Sequence, residues 1–111
     1  MFNRTAEDIV RELAENHARD IGKRWGNLII TGVEQQQRSL ILRARVSERD
    51  ANAEEFAQMM KNFRQRAIHD YCTLEHSGHL RRAGVSQVWM IQYANTELVE
   101  RIVQSEDQCR R

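Results

Sequence analysis

The sequence predicts an α+β fold of order α-β-β-α-β-β, with one four-stranded antiparallel sheet and the helices packed on one of its faces. Three observations point there. Two stretches repeat their apolar residues at helical spacing, and each opens with a capping signature. The remaining apolar residues run together or alternate in short segments, as they do in buried and half-buried strands. No internal repeat or low-complexity segment interrupts the 111 residues, so residues 1–111 read as a single domain with one core.

The first helix follows from Thr5 and Asp8, an acidic variant of the capping box, after which Ile9, Val10, Leu13, Ala14, Ala18 and Ile21 recur at helical spacing. It is expected over Ala6 to about Ile21, with Gly22 supplying a left-handed end and Glu7, Arg11, Glu12, Glu15 and Arg19 on the wet side. Leu28-Ile29-Ile30-Thr31, between Gly26 and Gly32, is the first strand. The polar run Glu34 to Arg38 reads as a turn. Leu40, Leu42, Ala44 and Val46 then alternate with Ile41, Arg43 and Arg45, which sends the first set to the core and both arginines to the other face.

Asn52 and Glu55 form a second capping box, with Asp50 as a competing cap. Phe56, Met59, Met60, Phe63, Ala67, Ile68 and Tyr71 follow as a broad stripe, so this is the main core helix, and Phe56, Met60, Phe63, Leu40, Leu42 and Trp89 are expected in one core. The alternative use of the Met and Phe stripe is an adaptable partner groove. Thr73 to Arg82 is expected to hold no more than a short helical turn before Gly84 redirects the chain. Val85 to Tyr93 is the third strand, with Val85, Gln87, Trp89, Ile91 and Tyr93 on one face; Asn95-Thr96 turns the chain and Leu98 to Gln104 returns as the fourth.

Composition narrows the chemistry. Hydrophobic residues make up 41% and charged residues 30% of the chain, which is globular, and the net charge of +1 gives no general field for nucleic acid or anionic membranes. No apolar run approaches the ~20 residues that span a bilayer. Met1-Phe2-Asn3-Arg4 leads into no signal-peptide core, so the chain reads as cytosolic or as the mature part of an exported protein. His69, Cys72, His76 and His79 would share one face of a continuous helix and could hold zinc, with His17 or Cys109 completing the set. Gly78 interrupts that helix and the spacing fits no common zinc pattern, so no metal or other cofactor is expected. A Cys72 nucleophile beside a histidine lacks any oxyanion-hole motif, and no enzyme activity is expected. Lys61, Arg64, Arg66, Arg81 and Arg82, with Trp89 or Tyr93 for stacking, are candidates for nucleic-acid contact, but interspersed acidic residues make a solvated surface the better reading.

Cys72 and Cys109 are the only cysteines and stand at the ends of two elements, which predicts that they pair. Together with Tyr71, Leu80, Gly84-Val85, Tyr93 and Ile102-Val103, they make the C-terminal forty residues resemble small disulfide-bonded envelope proteins of Gram-negative bacteria, nearest the α/β type of type II secretion pilotin. In that family a helix ending in Tyr-Cys leads through a short segment to a strand pair and a closing cysteine. The resemblance implies a periplasmic or outer-membrane-associated protein that binds part of a secretin and assists its delivery to the outer membrane. Pilotins are commonly lipoproteins, and the N-terminal cysteine that carries the lipid has no counterpart in this sequence. Two functions stay open: a non-catalytic protein-binding module of a bacterial secretion or conjugation apparatus, and a cytosolic regulatory or nucleic-acid-binding domain. For the first, the expected partner is a protein segment docked beside an edge strand or in a groove between sheet and helix. Arg43, Arg45, Trp89 and Tyr93 are its candidate contacts, because arginine and large aromatics are enriched among interface hot spots.

Overall fold

Both capping boxes form. In a computed structural model that describes residues 5–110, except for the side chain of His76, the Thr5 hydroxyl accepts from the Asp8 amide while the Asp8 carboxylate accepts from the Thr5 amide. Asn52 and Glu55 repeat the exchange. They open α1 (Ala6–Ala18) and α2 (Ala53–Thr73). The first helix is three residues shorter than its pattern, because Asp20 to Lys23 turn to meet the sheet: the Gly22 amide donates to the Ile30 carbonyl (2.7 Å) and the Ile30 amide to the Lys23 carbonyl (3.1 Å).

That turn creates a strand absent from the expected order. β1 (Arg24–Trp25) pairs antiparallel with the start of β2 (Leu28–Gln36), which pairs antiparallel with β3 (Ser39–Val46). β2 runs past the expected Thr31 through a register shift between Ile30 and Gly32, and Glu34 to Gln36, read from sequence as turn, are paired strand. Their polarity reflects exposure, and only Gln37 and Arg38 make the hairpin loop, with Gln37 in the left-handed region at φ 55°. Beyond α2, the expected helical turn is a full helix, α3 (Glu75–Ala83), which Gly84 ends at φ 75° in the conformation glycine adopts most freely. β4 (Ser86–Tyr93), β5 (Val99–Gln104) and a short α4 (Glu106–Cys109) complete the chain.

The sheet order is β1-β2-β3-β4-β5, so the sheet has five strands rather than four. It is mixed rather than antiparallel, because β3 and β4 run parallel, with Ser39 opposite Ser86 and Val46 opposite Tyr93. The physical reason lies between them: α2 and α3 carry the chain back to the end of the sheet where β3 began, and a crossover of that kind delivers a parallel strand. Register puts Leu42 beside Trp89 and Ala44 beside Ile91, so these side chains share the helix-covered face with Ile30 and Ile102. Val10 of α1, Phe56, Met60 and Ala67 of α2 and Leu80 of α3 close over them in one cluster. Five of the six expected core residues are buried; Phe63 is half-buried at the edge of the cluster.

Candidate protein-binding groove

Trp89 is the floor of a groove on the helix-covered face. Phe63 from α2 meets its ring edge-on at 5.4 Å, and Trp25 from β1 meets it at 6.0 Å, with His17 at 6.2 Å from Trp25 on the outer side. Local sequence explains the position of Trp25. Gly22 (φ 89°) and Gly26 (φ 61°) let the chain reverse on both sides of the two-residue strand, which holds the indole over the groove while leaving it 41% exposed.

On one side of this aromatic stack lies a cavity of about 670 Å³ walled by Phe63, Tyr71 and Leu74 of the α2 segment and Leu80 of α3, with Ser77, Gln87 and Gln104 at its base. On the other side a cavity of about 370 Å³ is lined by Leu28, Met59, Met60 and Asn62. Trp25, Phe63 and Arg66 border both, so the two are halves of one groove along α2 from Met59 to Leu74, a distance of about 22 Å at helical rise. Leu74, 40% exposed, marks its far end. The polar rim is Arg66 and Asp70, 4.0 Å apart. Tyr71 is fixed from below: its hydroxyl donates to the Val85 carbonyl at 2.7 Å. Burial pushes that hydroxyl above its ordinary pKa, against the opposing charge of Arg81.

The four contacts expected from sequence do not form one surface. Arg43 and Arg45 stand on the helix-free face, where Arg43 donates to Glu34 (3.0 Å) and holds that carboxyl below its usual pKa. Trp89 and Tyr93 stand on the opposite face, because β4 lies in register with β3 such that Trp89 neighbours Leu42 and Tyr93 neighbours Val46. Tyr93 is a packing residue, its ring 5.2 Å from Phe56 and its hydroxyl donating to Ala51 (2.9 Å). Trp89 alone lines the groove, and it does so while only 7% exposed. Trp25 and Leu74 had no part in the sequence reading; the signal available was a tryptophan set between Gly22 and Gly26.

Cys72 and Cys109 are bonded, with Cα atoms 5.4 Å apart. That bond takes the thiolate from both the metal constellation and the nucleophile considered for Cys72, and the His76 side chain lies outside the described residues. Among the described residues no group of three or more His, Cys, Asp and Glu side chains is arranged for a metal ion. Of the basic residues weighed for nucleic acid, Arg64 pairs with Glu100, Arg81 donates to the Tyr71 carbonyl and Arg66 faces Asp70, while Lys61 and Arg82 are exposed. No helix of the described residues is long and apolar enough to cross a membrane.

No protein-family model and no curated protein matches the sequence. Solved structures do match the fold. The pilotin EpsS of the Vibrio vulnificus type 2 secretion system superposes with a TM-score of 0.76 at 10% identity, covering 94% of this chain and 91% of that one. The type II secretion system pilotin AspS of Vibrio cholerae gives 0.71 at 15% identity over 94% and 92%. A Pseudomonas aeruginosa protein described as a candidate secreted protein gives 0.73 at 13% identity, again over 94% and 92%. Over 94% of its length, this chain has the fold of these type II secretion system pilotins.

Proposed function

We propose that this chain is a non-catalytic protein-binding module of the bacterial envelope, an accessory of a secretion system that takes up a helical segment of a secretin in the groove between α2 and the sheet. The observation that carries this reading is the agreement of fold with two pilotins over 94% of the chain. The Cys72–Cys109 bond supports an oxidising compartment, the periplasm or the periplasmic side of the outer membrane.

The groove favours a helix over an added strand. Its walls and floor are side chains, which leave the backbone of an extended peptide without partners, whereas a helix satisfies its own amides and needs only an apolar face. The sheet edges are less inviting. The bond from the Tyr93 amide to the Leu98 carbonyl sets an alternation that turns Val99, Arg101 and Val103 toward the outer edge of β5, and there Arg64 already donates to the Arg101 carbonyl.

Titration with overlapping peptides spanning the secretin encoded in the same genome tests the proposal, followed by calorimetry and circular dichroism. One peptide is expected to bind and become helical, with affinity reduced about tenfold or more by Trp25→Ala, as for an aromatic hot spot, and unchanged by Arg43→Ala/Arg45→Ala. Absence of binding by every peptide, or sensitivity only to the arginine pair, would overturn it.

A further inference from the structure

β4 is apolar on both faces, yet the fold covers only one of them. Its centre reads Val88-Trp89-Met90-Ile91 and β3 beside it reads Leu40-Ile41-Leu42, unbroken runs of the kind found in strands buried on both sides. Wholly parallel sheets are covered on both faces, and these are the two strands of this sheet that pair in parallel. Leu40, Leu42, Trp89 and Ile91 join the core under the helices. Val88 is only 7% exposed but lies outside that core cluster, on the helix-free face.

Register lays out that face. Ile41, Val88 and Val103 stand in one row across three strands, and Arg43, Met90 and Arg101 form the next. Ile41, Val88 and Met90 line a depression of about 240 Å³ together with the side chains of Arg43 and Arg101. Those two arginines are two strand spacings apart, about 10 Å, which is the width of a helix with its side chains. The charge is one-sided. In these rows and the following one, which holds Arg45, three arginines stand against the single carboxylate of Glu34, in a chain whose net charge is +1. Glu34 is already matched to Arg43 at 3.0 Å. Arg45 and Arg101 are exposed, and among the described residues their guanidinium groups have no acidic partner.

We propose that the helix-free face docks an acidic amphipathic helix of a partner protein, its apolar stripe laid along β4 over Val88 and Met90 and its carboxylates meeting Arg45 on one side and Arg101 on the other. A helix suits a surface made of side chains, because it satisfies its own backbone and needs only an apolar face with complementary charge beside it. A second copy of the chain would set arginines against arginines. A bilayer calls for apolar side chains that project, whereas Ile41, Met90 and Val103 are half-buried between the arginines. This surface lies on the opposite side of the sheet from the groove and does not depend on what the groove holds.

Designed peptides test it: a helix with a leucine stripe flanked on both sides by glutamate, the same helix flanked by lysine, and the glutamate sequence scrambled so that no stripe forms. Each is titrated into the chain labelled with 13C at its methionine methyl groups, where Met90 reports the helix-free face and Met59 and Met60 report the groove. The glutamate helix is expected to shift Met90 and not Met59 or Met60, and to bind less tightly as salt screens the contact. The other two peptides should leave Met90 in place. Arg45→Glu/Arg101→Glu should weaken the glutamate helix about tenfold or more and admit the lysine helix, with thermal unfolding to show that the variant folds. Should it not fold, the wild-type contrast between the glutamate and lysine helices decides alone. Met90 unmoved by the glutamate helix, or moved equally by the lysine or scrambled peptide, overturns the inference. So does a Met90 shift brought about by protein concentration alone, which makes the occupant a second copy, or by phosphatidylglycerol vesicles and not by the peptide, which makes it a bilayer. Failure of every secretin peptide to shift Met59 and Met60 would remove the proposed function and leave this surface standing; a secretin peptide that shifts them, with Met90 deaf to the glutamate helix, would do the reverse.

Discussion

Tyr71 joins the groove wall to the fold beneath it. Its ring lies 5.9 Å from the Arg81 guanidinium, its hydroxyl holds the first residue after α3's cap through the Val85 carbonyl, and its chain neighbour is the bridged Cys72. Phenylalanine would keep the ring and strand the carbonyl. Tyr71→Phe is therefore expected to cost about 1–3 kcal/mol in urea unfolding, the range for a buried group left unsatisfied. An unchanged midpoint would show that the bond contributes nothing. Alkaline behaviour has a definite sign as well. Burial raises the folded-state pKa of this hydroxyl, so its contribution is whole below about pH 10, the ordinary tyrosine value, and is lost as pH rises through the folded value. Wild type should destabilise above about pH 10 more steeply than Tyr71→Phe.

Among the elements, α2 was the most legible, since its cap, its stripe and its position against the sheet all follow from residue spacing. Two positions on that stripe differ in what surrounds them. Phe56 is 1% exposed in the centre of the core, while Phe63 lies half-buried where the stripe opens into the groove. Phe56→Ala is expected to lower stability by ~3–5 kcal/mol, with Phe63→Ala costing clearly less because its ring already meets solvent on one side. Equal losses in matched denaturant curves would mean the groove is closed in solution. The sequence reading erred at α3 for a physical reason. Gly78 costs a helix about 1 kcal/mol, which argues locally for a break, but buried Ser77 and Leu80 hold the segment against the fold and Gly84 ends it cleanly. β1 could not be seen for the opposite reason: two residues carry no periodicity, and this strand exists only because Gly22 and Lys23 bond to Ile30. The groove was half legible in consequence, with its α2 wall and Trp89 readable and its Trp25 side hidden in that strand.

At the scale of the whole molecule, β3 and β4 present the faces that their sequences said, while the parallel pairing of β3 with β4 follows from where two packed helices return the chain, which no strand encodes. The disulfide closes that architecture. It joins the last turn of α2 to α4 across 37 positions, so the helix forming the groove wall is tied to the end of the strand pair beneath it. α4 has four residues and no side-chain cap, too little to hold itself in place. On the loop-entropy account the bridge is worth roughly 4 kcal/mol, acting mainly by limiting the unfolded chain. Cys72→Ser/Cys109→Ser should accordingly unfold on the order of 15 °C lower than wild type in thermal circular dichroism, and reducing the wild type should reproduce the shift. A reduced chain melting at the wild-type temperature would show that packing alone holds α2 against the sheet, and that the groove keeps its shape in a reducing compartment as well as an oxidising one.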